Sequence, residues 1–274
     1  MTVLLQVSDP HFGTEQARVV DALVDLARGQ RPDLVVLSGD ITQRARPAQF
    51  RAARAFADRL GAPVLAVPGN HDIPLFDLWT RLRRPYARYS VAFGTDLEPV
   101  HRSPDLLVVG VNTTRAQRHK NGQISPAQIE RVAGLLEQAA STQLRVVVVH
   151  QPIAVTRAED LPDRLHGAHA ALQRWAAAGA DLVMGGHIHL PYVMALNDLV
   201  RPMWAVQAGT AVSTRVRPGV PNSVNLLRWA GDQAPGRCRI EQWDHDAVAR
   251  AFVCTRGSEV TPVRMGVDRS ASAP

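Results

Sequence analysis

Short continuous apolar runs alternate with segments of helical period through most of this chain. The runs are Val3-Leu4-Leu5, Leu34-Val35-Val36-Leu37, Val64-Leu65-Ala66-Val67, Val146-Val147-Val148-Val149 and Leu182-Val183-Met184. Unbroken hydrophobicity, rather than alternation, predicts strands covered on both faces. Between them Val19, Leu23 and Leu26, then Phe50, Ala53 and Phe56, then Ile129, Val132 and Leu136, and finally Ala171, Leu172 and Trp175 fall at helical spacing. Ser125-Pro126-Ala127-Gln128 is a start signal for the third of these helices: a capping serine, proline in the first turn and glutamine to close a capping box. Strand and helix alternation of this kind predicts an α/β protein.

Later runs change character. Met203 to Ala208, Ser223 to Trp229, Arg237 to Trp243 and Arg250 to Cys254 are strand-like without long helices between them, which predicts antiparallel pairing. A second sheet built from strands at about residues 203–255 and packed on the first would give a four-layer α/β/β/α sandwich of two mixed sheets flanked by helices. The expected organisation is one domain over residues 1–264, with a frayed tail at 265–274.

The residues that end the apolar runs change the picture from fold to chemistry. Asp9 and His11 follow the first run, Asp40 the second, Asn70, His71 and Asp72 the third, His150 the fourth, and His187 and His189 the fifth. Sites in open α/β sheets form beyond the carboxyl ends of strands, so these side chains should converge. Imidazoles, carboxylates and one amide make a mixed nitrogen and oxygen donor set suited to manganese, iron or zinc. Even seven of these nine donors are too many for one tetrahedral ion, but they suit two ions that share a carboxylate and keep positions open for water and substrate.

In order along the chain, Asp9-Pro10-His11, Gly39-Asp40, Gly69-Asn70-His71-Asp72, His150 and Gly186-His187-Ile188-His189 resemble the motif blocks of the calcineurin-like metallophosphoesterase superfamily. The resemblance implies that Asp9, His11, Asp40 and His189 hold one metal, that Asp40, Asn70, His150 and His187 hold the other, and that Asp40 bridges them. It implies the sandwich fold as well. Gln43 and Asp72 stand where the protein serine/threonine phosphatases carry Asp and Glu, so the chain looks more like the smaller bacterial phosphodiesterases, the class III cyclic-nucleotide and glycerophosphodiester enzymes.

The expected reaction is in-line attack by a metal-bridging hydroxide on a small anionic phosphodiester, with 3',5'-cyclic AMP as the first candidate. A phosphomonoesterase or a nucleotide or sugar-nucleotide pyrophosphohydrolase would use the same metal core, and a non-catalytic interaction module would not need an intact ligand set. Two divalent or mixed-valence transition-metal ions are the expected cofactors, with cobalt an in vitro substitute. His71, next to Asn70 yet outside the ligand set, is the candidate general acid. Asp72 is expected to orient it, while Asn70 and His71 are expected to touch substrate.

Composition narrows the alternatives. The formal charge is +6, but the basic residues are scattered arginines with Lys120 the sole lysine, so no dedicated nucleic-acid surface is expected. The excess still favours anionic substrates. No apolar stretch reaches the length of a membrane span, and the opening residues are expected to form a strand rather than a signal peptide. With only Cys238 and Cys254, a cytoplasmic setting with free thiols is expected, although a hairpin turning at Asp244-His245-Asp246 would let the two face each other. A homodimer stays open as an option. The loop from Asn112 to Gly122 carries Arg115, Arg118, His119 and Lys120, which are candidates to shape the mouth of the site.

Overall fold

The computed structural model describes residues 1–231 and 236–263. In the first sheet β1 (Thr2–Val7), β2 (Leu34–Ser38) and β3 (Val64–Val67) are parallel, and β10 (Ser223–Ala230), β11 (Arg237–Asp246) and β12 (Ala251–Val260) extend it antiparallel beyond β1. The second sheet runs in the order β4 (Val100–Arg102), β5 (Leu106–Gly110), β6 (Leu144–Val148), β7 (Leu182–Gly185), β9 (Met203–Gln207) and β8 (Tyr192–Leu196). Its four central strands are parallel and its two edge strands antiparallel.

The apolar runs are continuous because each strand meets a different layer on each face. Val3, Leu5 and Val7 pack with Leu23 of α1 (Ala17–Gln30) and Phe50 of α2 (Pro47–Arg59). Leu4, Val36 and Val67 turn the other way, onto Val108, Val146, Val148 and Met184 of the second sheet. Two short helices, α3 (Leu78–Arg83) and α4 (Ala87–Phe93), follow β3, and the second sheet is covered by α5 (Pro126–Glu137) and α6 (Ala168–Ala178) through Val132, Leu136, Ala171 and Trp175. The four layers follow directly. Burying one such side chain stabilises the fold by about 1.5–3 kcal/mol. Truncating Leu4, only 1% exposed between the sheets, to alanine should cost about 2–5 kcal/mol.

Near the carboxyl ends of the strands the layer between the sheets becomes polar. Gln6 donates to the Gly185 carbonyl at 3.0 Å and accepts from Asn225 at 2.9 Å, so the end of β7 is fastened to β1. The capping box that opens α5 is present, with Gln128 N donating to Ser125 Oγ at 3.2 Å and Ser125 N to Gln128 Oε1 at 3.0 Å.

Three expectations need revision. Only the first of the late strands enters the second sheet: β9 lies there, parallel to β7 and antiparallel to β8, whereas β10 to β12 widen the first. Burial decides this partition, since Val224 and Leu226 belong to the core under α1 and α2. The β11–β12 hairpin turns over residues 247–250, so Cys238 lies opposite Val260 and Cys254 opposite Trp243. The two cysteines are free, Cys238 buried with its thiol pushed up by burial and Cys254 exposed. The tail expected from residue 265 lies outside the described residues. No helix among the described residues is long and apolar enough to cross a membrane.

Candidate metal centre

Every singled-out donor sits just past the carboxyl end of a parallel strand. Asp9 and His11 follow β1, Asp40 follows β2, Asn70 to Asp72 form a 3-10 turn after β3, His150 follows β6, and His187 and His189 follow β7. Five of these residues hold left-handed backbone, with φ of 50° at Asp9, 43° at His11, 49° at Asp40, 73° at His187 and 56° at His189. Such conformations cost of order 1 kcal/mol or more for a residue with Cβ, and they cluster where a fold forces side chains towards one point. Glycine permits the approach. A Cβ at Gly69 would collide with the backbone and carboxylate of Asp40, and one at Gly186 with Ser8 and Asp9.

Two groups emerge, Asp9, His11 and His189, and Asp40, His150 and His187, each with its ligand atoms within 4.8 Å of one another. In the first, His11 Nε2 and His189 Nε2 stand 3.2 Å apart, with Asp9 Oδ1 3.3 Å from the latter. In the second, His150 Nε2 lies 3.2 Å from both Asp40 Oδ1 and Asn70 Oδ1. Asp40 spans them, because its Oδ2 is 3.7 Å from His11 Nε2. Ligand histidines need their second nitrogen oriented, and His150 Nδ1 is held at 2.9 Å from the Ser38 carbonyl.

The donor set fits cations on its own evidence. Asp9 Oδ1, His11 Nδ1 and both ring nitrogens of His187 are buried without a hydrogen-bond partner. Leaving such groups unpaired costs about 1–3 kcal/mol each, a cost that coordination at Asp9 Oδ1 and His187 Nε2 would offset.

A calcineurin-like phosphoesterase family model matches residues 2–191. The chain belongs to that family. It is 30% identical over 212 residues to a cAMP/cGMP dual specificity phosphodiesterase of Mycobacterium tuberculosis, a match spanning 68% of this chain and 61% of that one, so the chain spans less than two thirds of that relative's length. A probable cyclic nucleotide phosphodiesterase of Synechococcus is 29% identical over 208 residues, 69% of this chain and 74% of the relative. Among solved structures, a dimetal phosphatase from Danio rerio shares the fold with a TM-score of 0.70 at 15% identity, covering 96% of this chain and 99% of that one.

The electrostatics of this calcineurin-like centre are those of a cluster built for positive charge. Burial would raise both carboxyls, yet the facing imidazoles outweigh it: Asp9 is held at about 2, chiefly by His189, and Asp40 well below the carboxylate range, chiefly by His150. Burial lowers His11 to about 3 and also lowers His187. For His150 the same burial is overcome by the Asp40 carboxylate, and its pKa rises to about 9.

The structure separates two residues expected to act together. His71 lines the cleft, a cavity of about 440 Å³, and its ring stands edge-on to His11 at 4.9 Å. Asp72 does not orient it. The Asp72 carboxylate accepts from Ile41 N at 3.0 Å, Thr42 N at 2.8 Å, Thr42 Oγ1 at 2.9 Å and Gly69 N at 2.9 Å, while His71 Nδ1 pairs instead with the Gln43 carbonyl at 3.0 Å. Burial and the nearby Asp40 charge push the Asp72 carboxyl up to about 7, against those donors. Its work is to tie the loop after β2 to the loop after β3.

Of the loop candidates, His119 and Lys120 line the cleft, whereas Arg115 turns to Gln128 and the Asn112 carbonyl, and Arg118 offers its carbonyl to Arg81. Four lining residues escaped the reading of the sequence: Asp160, Asp163, Arg215 and Arg217. Asp163 Oδ1 lies 3.7 Å from His187 Nε2. No motif marks any of them: Asp160 and Asp163 sit on a 3-10 turn (Ala158–Asp163) and Arg215 and Arg217 on the irregular stretch between β9 and β10, all outside the ligand blocks. Arg217 is paired with Asp160 and Lys120 with Asp163, but Arg215 has no carboxylate partner among the described residues and donates to His71 and Gln43.

Proposed function

We propose that this chain hydrolyses a small phosphodiester at two transition-metal ions, with 3',5'-cyclic AMP the first compound to test. The observation that carries the reading is the placement of Asp40, whose two carboxylate oxygens face two different histidine groups. In this assignment Asp9, His11, Asp40 and His189 hold one ion, and Asp40, Asn70, His150 and His187 hold the other. Manganese, iron and zinc suit such donors. When bound, the pair supplies Lewis-acid polarisation of a phosphoryl oxygen and activation of a water for in-line displacement.

The chain's own residues do the rest. Arg215, with no carboxylate partner among the described residues, has guanidinium N–H groups beyond those given to His71 and Gln43 with which to take a phosphoryl oxygen, since guanidinium geometry matches that group. His71 stands beside Asn70 and His11, where it can support the departing alkoxide. No cysteine lines the cleft, in keeping with direct attack by water rather than by a protein nucleophile. The diester reading draws support from the names of the mycobacterial and cyanobacterial relatives, both phosphodiesterases.

The test is a screen of the chelated and metal-reconstituted protein against cyclic nucleotides, linear diesters, monoesters and sugar nucleotides, with metal content measured on the same sample. About two ions per chain and preference for a diester are expected, with magnesium a poor substitute for manganese, iron, cobalt or zinc. Full activity with a single ion would overturn the two-metal reading. Preference for monoesters or pyrophosphates would overturn the diester reading alone.

A further inference from the structure

The segment that follows His71 and Asp72 is built inside out. In the short helix α3 (Leu78–Arg83) the side chain turned inward is Arg81, 9% exposed, whereas Leu78, Trp79 and Leu82 are 65%, 70% and 75% exposed, and Phe76 just before them is 80% exposed. A surface helix ordinarily buries its apolar stripe and exposes its charges. Here the buried guanidinium donates to the Pro74 carbonyl at 3.1 Å and to the Arg118 carbonyl at 3.0 Å, so the reversed orientation is fastened by hydrogen bonds.

Contiguous large apolar side chains facing outwards mark a contact surface. The charge around them says what kind. Arg44 stands over the Phe76 ring at 5.5 Å and Arg83 over the Trp79 ring at 4.6 Å, and Arg84 follows next in the chain. All three are exposed, and none has a carboxylate partner among the described residues. Aromatic and aliphatic side chains rimmed by arginine form the composition that settles at the boundary between lipid headgroups and acyl chains. A second copy is the poorer occupant: an isologous contact through this face would bring each rim of unpaired arginines towards its own counterpart. Leucines that offer no stacking surface argue likewise against a nucleic acid.

We infer that Phe76, Leu78, Trp79 and Leu82, with Arg44, Arg83 and Arg84, dock this protein on an anionic phospholipid surface. The docked face adjoins the metal cleft. A small pocket that shares Asn70 and His71 with that cleft is also lined by Arg44, Leu75 and Arg81. Arg81 also joins α3 to the loop whose His119 and Lys120 line the cleft itself. Docking therefore sets the mouth of the site beside the headgroup layer, where phosphodiesters are abundant.

The experiment is co-sedimentation of the full chain with vesicles of phosphatidylcholine alone and of phosphatidylcholine mixed equally with phosphatidylglycerol. It is run on chelated and metal-loaded protein, so that its outcome is independent of the phosphodiesterase reading. Binding is expected to the anionic vesicles, to weaken as salt rises, and to fall by about tenfold or more in a Phe76→Ser/Trp79→Ser double variant. Because both side chains are exposed, unchanged circular dichroism and Tm should accompany that loss. Val248→Ser, altering a side chain 94% exposed on the β11–β12 turn, should bind like the parent. Failure of the parent to sediment, equal binding to neutral vesicles, or a double variant that binds normally would each overturn the inference. So would light scattering that shows a parent dimer broken by the double variant, or preferential retention on a single-stranded oligonucleotide.

Discussion

Arg215 Nη1 lies 3.1 Å from His71 Nε2 and 2.9 Å from Gln43 Oε1. A guanidinium can only donate, so His71 Nε2 is the acceptor of this contact and Nδ1 carries the hydrogen given to the Gln43 carbonyl at 3.0 Å. The imidazole is thus aimed by two loops. One follows β2, and the other comes from the segment between β9 and β10.

That arrangement makes the two side chains separable by experiment. Once a bound phosphoryl oxygen draws Arg215 away, a proton taken up on the freed Nε2 would let His71 act as a general acid. His71→Ala should therefore cost about 100-fold to 10,000-fold in kcat/KM on an alkyl diester and far less on a nitrophenyl diester whose leaving group needs no help. Equal losses on the two substrates would assign His71 to positioning. Arg215→Gln should instead raise KM about tenfold on both substrates, the scale of one lost charged contact, with metal content unchanged.

Asp40→Ala should remove metal and turnover together. Both ions lose a ligand in that variant, and their mutual repulsion is less well neutralised. Elemental analysis beside an activity assay decides it: a variant that keeps two ions and normal turnover is incompatible with a shared carboxylate.

Metal removal should expose a pH dependence that the loaded protein lacks. The folded-state pKa of His150, about 9, stands above its ordinary 6.5, so protonation stabilises the chelated fold fully below pH 6.5 and is lost as pH rises through 9. Asp9 acts in the opposite sense. Its folded value of about 2 lies below 3.8, so its contribution is present above pH 3.8 and is lost as pH falls through 2. Thermal melts of the chelated protein should decline across the alkaline window, and His150→Gln should flatten that decline. A parallel decline in both proteins would place the alkaline loss elsewhere.

Asp72→Asn tests the structural role given to Asp72. The amide brings an NH2 group among four donors that the carboxylate satisfies, so a stability loss of about 1–3 kcal/mol is expected in denaturant unfolding. Reduced metal content should follow from the loosened loops. A variant of parental stability that loses activity only on alkyl diesters would return Asp72 to partnership with His71.

The ligand residues were legible because each ends an apolar run, and a parallel sheet sends such ends to one place. The four layers were legible for a related reason, since runs hydrophobic on both faces need cover on both. Strand partition was not, because Ser223 to Trp229 carries no local mark of whether it will lie beside β1 or beside β7. The role of Asp72 depends on which amides reach it in space, and Arg215 enters the cleft from an irregular segment. The reversal of α3 was hidden as well: its pattern fits an amphipathic helix whichever face is turned inward, and only the carbonyls that receive Arg81 decide.

The way β10 and β9 insert has a practical consequence for anyone shortening this chain. All the ligand motifs precede residue 191, yet β1, which delivers Asp9 and His11, has β10 as one of its two neighbours, and β7, which delivers His187 and His189, has β9. A fragment cut after the last motif would leave both of these strands as unpaired edges, open to pairing between molecules. The motif-bearing stretch is therefore not a minimal unit for expression or for grafting, and a deletion series should lose soluble protein well before it reaches any residue of the metal centre.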